Sequence, residues 1–441
     1  MRKILLIAAL AAAAPAAAQG DPAADVSQQR LRSDVDAMVS FGTRHTLSEQ
    51  DNPKRGIGAA LQWGERQFRE TGKACGDCLE VVLPETTISG ERIPQPVRLR
   101  NVVAIQRGSE RPNEVVIVQG HIDSRVTDVM DARSDAPGAN DNASGSALVL
   151  EAARVLSRKT YPTTIVYALL SGEEQGLYGG RLLADYAKQQ GWTVKAVFNN
   201  DIVGGSCGSD GHCDAAHVRV FSEGPRADAD DTARAAMRRN GGENDSPSRN
   251  LSRWIDRLAE GGAELDVRQI WRTDRMGRGG DQIPFLDTGY PAVRFSVAVE
   301  DYDHQHQDLR VEDGVRFGDT ADEMDFAYLA NVTRLNVRGL HALAAAPMPP
   351  APTAQAAVQT HTDLAWEPVA GAEHYRVWMR RTDQPQWPSE PLTQTEKTSL
   401  KLAGVRGDDW LFGVSAVGAG GAESPIASAV PGGAYRPLQA R

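Results

Sequence analysis

Five polar clusters stand out in the first three quarters of the chain. They are GHIDS at 120–124, GANDNASG at 138–145, SGEEQGLYGG at 171–180, NND at 199–201 and EDYDHQHQD at 300–308. They supply His121, Asp141, Glu173, Glu174, Asp201 and His304, a mixture of imidazole and carboxylate donors that suits Zn2+. Two metal ions held close together need a carboxylate that uses both of its oxygens. Five ligands with one shared would give each metal three protein donors and a common water, whose proton loss is brought toward neutral pH. The adjacent pair Glu173-Glu174 adds a second feature. Neighbouring residues leaving a strand point in different directions, so one can ligate while the other takes a proton from that water and passes it on.

The elements around these clusters explain how they could meet. Apolar residues recur at helical spacing over 30–41 and 57–70. The period then shortens to β-rich runs at 79–83, 97–106 and 114–120. A helix is expected over 143–158, a strand over 163–171, a helix over 177–191 and a strand over 194–204. Further on come a helix at 246–260, stopped by Gly261-Gly262, strands at 265–271 and 291–299, and a closing helix from about 320 to 345. Apolar strands alternating with helices predict a mixed, largely parallel central sheet covered on both faces. Ligands of such sheets bind beyond the carboxyl ends of the strands, and four of the five clusters come directly after a strand.

Taken in order, GHID, GANDNASG, GEEQGLYGG, NND and the late His-x-x-x-Asp resemble the di-zinc aminopeptidases of metallopeptidase family twenty-eight, over about residues 30–345. That resemblance implies the zinc exopeptidase fold and two zinc ions per chain. It makes His121 and Asp201 ligands of one zinc, Glu174 a ligand of the other, and Asp141 the bridge between them. Asp123 becomes the carboxylate that orients His121, and Glu173 the general base. His304, with Asp308 four residues on, is favoured as the final histidine over its rival His306. A tyrosine that some members carry before the Gly280-Asp281-Gln282 segment is Gly277 here. Arg275 and Arg278 flank it, and Arg278 is the expected source of positive charge for a developing oxyanion. His45, in a Thr-Arg element, is left between a structural and a catalytic role. The implied activity is an exported aminopeptidase acting on peptides. Alternatives are a carboxypeptidase or dipeptidase on the same metal core, or a catalytically silent receptor-like binding protein.

Composition narrows the remaining possibilities. The chain has 441 residues, 41% of them hydrophobic, with a net charge of −10 and no basic stripe with interleaved aromatics, so nucleic acid is not an expected partner. Residues 1–18 read as a signal peptide. Arg2 and Lys3 precede an apolar run at 4–14, which is too short to span a bilayer, and Ala16-Ala17-Ala18 offers a cleavage site. The expected location is periplasmic or secreted. Four cysteines fall into two local pairs, Cys75 with Cys78 and Cys207 with Cys213, read as two short disulfide loops. The catalytic domain is expected over 25–345 and a Pro/Ala-rich linker over 346–357. Short alternating strands over 358–436, marked by Trp366, Tyr375 and FGVSAVG, resemble a fibronectin type III-like β-sandwich, which could contact a surface or polymer. The run Gly204-Gly205-Ser206-Cys207-Gly208 matches a serine-nucleophile pattern, but a loop and a strand come after it rather than the helix that such an elbow must open.

Overall fold

The computed structural model describes residues 20–260 and 265–438; the expected signal peptide and the Gly261-Gly262 helix stop lie outside those residues. Late in the first domain β11 (Arg310–Glu312) and β12 (Val315–Phe317) pair as a hairpin, and ten further strands are found among its described residues. They are β1 (Glu80–Val82), β2 (Glu85–Gly90), β3 (Ile93–Arg100), β4 (Val102–Gln106), β5 (Arg111–His121), β6 (Thr163–Leu170), β7 (Thr193–Asn200), β8 (His217–Ser222), β9 (Asp266–Ile270) and β10 (Ala292–Val297). Eight of them form one sheet in the order β1-β4-β6-β5-β7-β10-β8-β9, while β2 and β3 pair as a separate hairpin. The central run β6-β5-β7-β10 is parallel, and antiparallel pairs lie outside it. The expected strand at 97–106 is therefore two strands. Asn101 breaks it, with its amide donating to the Gly179 carbonyl at 2.8 Å.

The helices are α1 (Gln28–Val39), α2 (Gly56–Ala74), α3 (Gly145–Leu156), α4 (Tyr178–Gln189), α5 (Asp231–Asn240), α6 (Pro247–Glu260), α7 (Ile283–Asp287) and α8 (Phe326–Ala345). The period-two alternation of the central strands sorts them into two layers. Val116, Val118, Tyr167 and Leu169 face a core shared with α1, α2, α3, α6 and α8. Val115, Ile117, Val166 and Ala168 face α4 and α7 on the other side. Both faces being covered accounts for strands that are apolar throughout rather than half polar. No helix among the described residues is long and apolar enough to cross a membrane.

Beyond α8 the chain does not run free. Pro349, Pro350 and Pro352 are buried, and Thr353–Gln355 within the expected linker is already a strand paired with His361–Ala365. A three-stranded and a four-stranded antiparallel sheet complete this region. Leu364, Trp366 and Leu402 of one meet Tyr375, Val377, Phe412 and Val414 of the other in a small core, with Trp366 and Tyr375 edge to face at 5.4 Å. This sandwich sits against α6 through buried polar contacts. Arg380 is paired to both oxygens of Asp245 at 2.6 and 2.7 Å, and the Trp387 indole donates to Asn250 Oδ1. Both disulfides join the local pairs, Cys75 to Cys78 and Cys207 to Cys213.

Candidate metal centre and active site

Four chain segments converge at the carboxyl edge of the parallel strands. His121 ends β5, Glu173 and Glu174 come after β6, Asp201 comes after β7, and Asp141 lies on the segment that enters α3. His121, Asp141 and Asp201 form one buried donor triad, and Asp141 and Glu174, both buried, form a second with the half-buried His306. Asp141 serves both. Its Oδ1 lies 3.2 Å from His121 Nε2, and its Oδ2 lies 2.8 Å from His306 Nε2. Glu174 Oε1 stands 3.0 Å from His306 Nε2, and Asp201 Oδ2 stands 3.9 Å from His121 Nε2. His121 Nε2, His306 Nε2 and Glu174 Oε1 are buried and have no hydrogen-bond partner. Buried polar atoms without partners are costly, and these point inward on a set of nitrogen and oxygen donors. The residues fit a metal.

The surroundings hold that set in place. His121 turns Nδ1 toward the Asp123 carbonyl at 3.1 Å and the Asp123 carboxylate at 3.5 Å. The same carboxylate accepts the backbone N–H groups of Glu173 and Glu174 and the Thr46 hydroxyl, so one side chain orients a ring and the loop that carries the other donors. Asp319 accepts the N–H groups of Asn140 and Asp141, each at 2.7 Å, and burial raises its own pKa to about 6. Gly138 has φ +52°, and a Cβ there would lie 2.5 Å from the Asp141 carbonyl, so the turn that delivers Asp141 needs glycine. Arg44 is fully buried and donates to the carbonyls of Met38, Ile122, Pro137 and Gly138. The Thr-Arg-His element is thus a clamp on backbone, and His45 bonds Val129 O and Leu47 N rather than entering the cluster.

Charge in the site is unbalanced. Burial raises the Glu173 carboxyl well above its ordinary range; His121 opposes this, while Asp201, Glu174 and Asp281 add to it. Burial, with Asp123 and Asp201 contributing, also lifts Asp281 to about 7. Crowded carboxylates of this kind call for added positive charge. The chain supplies part of it. Arg294, fully buried, reaches Asp201 Oδ1 at 2.7 Å, and Arg125 reaches Glu174 Oε2 at 2.9 Å. Each terminal carboxylate is thereby left one oxygen facing inward.

Two expectations are corrected. His304 is not in the cluster. Its ring is drawn away to Asp301 at 2.7 Å and Glu323 at 3.7 Å, and His306 takes the place, its backbone at φ +58° turning it inward. Nor does Arg278 face the carboxylates. Its side chain is 47% exposed, bonded to Glu300 and packed over Tyr302. Arg275 is 9% exposed and also bonds Glu300. Burial works against its charge, yet Asp201 and Glu300, then Asp141 and Glu173, hold its pKa above the usual arginine value, which makes it the cation nearer the cluster. Arg125, Arg294, Asp319 and Gln305, which donates to Asp141 Oδ2 at 2.8 Å, were outside the sequence expectation. Only Arg294 left a signal there, as a charged residue inside the otherwise apolar run PAVRFSVAV.

Fold and donor set together define a class: an α/β protein with a metal-binding cluster at the carboxyl edge of its sheet. The model of peptidase family M28 matches residues 101–313. A probable zinc metalloprotease of Leptosphaeria maculans is 41% identical over 415 residues, covering 92% of this chain and 96% of its own. The chain belongs to peptidase family M28. Among solved structures, the LapA aminopeptidase of Legionella pneumophila shares the fold with a TM-score of 0.54 at 19% identity, over 74% of this chain and 71% of its own. The glutaminyl cyclase of Fimbriiglobus ruber does so with a TM-score of 0.51 at 20% identity, over 72% and 95%.

Proposed function

We propose that this zinc metalloprotease of family M28 is an exported aminopeptidase that removes residues from the free N-termini of peptides. The observation that carries the reading is the sharing of Asp141 between two donor triads, one buried and one closed by the half-buried His306. His121, Asp141 and Asp201 would hold one ion; Asp141, Glu174 and His306 would hold a second. Bound there, zinc supplies Lewis acidity and brings the proton loss of water toward neutral pH.

The chain's own residues do the rest. Glu173 accepts a proton on a carboxylate oxygen and returns it to the leaving amine; its environment favours the neutral form, which makes the carboxylate a stronger base than one in water. Asp123 keeps base and ligands in register through the Glu173 and Glu174 N–H groups. Arg275 lends positive charge to a developing oxyanion. The carboxylates of the cluster offer partners to the substrate's free ammonium group. Export is supported by the pattern at residues 1–18 and by two disulfides, which persist in oxidising compartments. The C-terminal sandwich, with its buried Trp366 and Tyr375, is read as a fibronectin type III-like module fixed to the catalytic domain.

A cleavage map tests the function. Mature protein is given peptides with free and N-acetylated termini, with and without a chelator, and products are read by mass. Stepwise loss from free N-termini alone, abolished by the chelator and restored by zinc, is the expected result. Trimming from C-termini, or ring closure of glutaminyl peptides without hydrolysis, would overturn the reading.

A further inference from the structure

Arg275 lies on a stretch without regular structure, since no strand or helix occurs between β9 and α7. The bonds within that loop are few. Asp274 Oδ1 accepts the Gly277 N–H at 2.9 Å, and the Arg278 carbonyl accepts the Arg275 N–H at 3.4 Å. A charged group that is to meet a developing charge must be held in place before the reaction, and a loop of this kind does not hold one unaided.

Glu300 supplies the fixing point. It comes three residues after β10 and is buried. Its Oε1 accepts from Arg219 Nη2 at 2.7 Å, and its Oε2 accepts from Arg275 Nη1 at 2.8 Å and Arg278 Nη2 at 2.9 Å. Arg219 belongs to β8, and its Nε donates to the Val297 carbonyl at 2.6 Å, so this end of the bridge is part of the sheet. One carboxylate thus ties two arginines of a loop to one arginine of a strand. Burial works against its charge, but Arg275, Arg219 and Arg278 hold its pKa below the ordinary range, so it stays ionised at neutral pH.

The arrangement leaves positive charge over, because three guanidinium groups share one carboxylate. Arg275 brings that surplus to the donor triads, as the influence of Asp201, Asp141 and Glu173 on its pKa shows. Its Nε is turned to the Arg278 carbonyl and its Nη1 to Glu300, while among the described residues Nη2 has no protein partner. A donor is therefore left for an oxygen of the substrate. Arg278 completes the group from the solvent side, packed over the Tyr302 ring.

We propose that Glu300, braced by Arg219, is a positioning residue that aims Arg275 at the oxygen that becomes negative during peptide hydrolysis. The inference rests on the aminopeptidase reading and on Arg275 as the source of charge. That oxygen carries no full charge in the bound substrate. A displaced Arg275 therefore raises the barrier and leaves substrate binding nearly as it was.

The test compares kcat, KM and inhibition by a peptide analogue with a phosphinate in place of the scissile amide, a stable tetrahedral anion. Glu300→Gln keeps the size of the side chain and loses its charge. Its kcat should fall by about tenfold or more, with KM within about twofold of wild type. The phosphinate should bind more weakly by the same factor as the fall in kcat/KM. Adding Arg275→Ala to Glu300→Gln should cost less than about threefold more, because both changes remove one interaction. Arg219→Gln leaves Glu300 paired with the loop and should show the same pattern at smaller size, which keeps the test open if Glu300→Gln does not fold. Zinc content and melting curves are read for every variant. Wild-type kcat in folded Glu300→Gln or Arg219→Gln, or losses that multiply in the double variant, overturns the inference. So does a rise in KM that accounts for the whole fall in kcat/KM with phosphinate affinity unchanged. Wild type that cleaves no peptide overturns the reading of the site instead.

Discussion

Asp245 joins the two domains, and its loss should be felt by the whole molecule. The side chain is 1% exposed and bonds Arg380, Ser428 Oγ at 2.8 Å and Arg253 at 3.6 Å. Arg380 and Arg253 are themselves buried, and burial already holds Arg253 down to about 10, with Asp245 the group that opposes the fall. Asp245→Ala leaves both guanidinium groups buried without their carboxylate. Removing one partner of a buried ion pair costs about 3–5 kcal/mol, because the remaining charge is left desolvated. With an unfolding entropy of about 2 cal/mol/K per residue, roughly 400 residues unfolding as one unit lose about 0.8–0.9 kcal/mol per degree, so the midpoint should fall by about 4–6 °C. Scanning calorimetry of wild type should give one transition, and the variant a lower one or two separated ones. A shift under 1 °C would show that the sandwich is not held through this network.

The site and its margins support further expectations. His306→Ala should lose the second equivalent of zinc and most activity, whereas His304→Ala should keep both; the reverse outcome would restore the assignment read from spacing. Arg275→Ala should lower turnover by about tenfold or more with little change in zinc content, while Arg278→Ala stays within about threefold of wild type, as loss of positive charge at a developing oxyanion predicts. Glu223 is buried, and desolvation lifts its carboxyl to about 8. The folded state then holds a proton that the unfolded state releases near 4.5, so its contribution to stability is complete below that pH and is lost as pH rises toward 8. Glu223→Gln should therefore gain melting temperature relative to wild type between about pH 5 and about pH 8.5; a constant difference across that range would refute the assignment.

Much of the site was legible because its motifs lie just past the ends of strands, and a parallel sheet gathers those ends along one edge. His121, Glu174 and Asp201 follow that rule, whereas Asp141 lies in the segment that enters α3, and its place and the division of the ligands came from the resemblance to the family. The histidine after β10 did not yield to it. Residues 298–309 have no apolar period, and the choice between His304 and His306 turns on a left-handed backbone at His306 that spacing does not express. The arginines were hidden for a different reason. Arg125 is one residue beyond GHIDS, where it looks like an ordinary loop cation, and its two partners lie 49 and 181 residues away. The Pro/Ala stretch at 346–357 reads as a tether by composition, but its prolines pack and Thr353–Gln355 within it pairs into a sheet, since a sheet edge can recruit any extended segment. Helix α5 leaves no apolar period to read because it is polar on nearly every side, with Met237 its single buried residue.

The central claim is that Glu173 moves a proton beside a metal centre it does not help to hold. Glu173→Gln, prepared alongside wild type, should be assayed for bound zinc and for turnover of a free N-terminal peptide in the same sample. The account predicts zinc content equal to wild type and turnover lower by about 10²–10⁴-fold, the usual contribution of a positioned general base. Turnover within a few-fold of wild type at full zinc occupancy would contradict it.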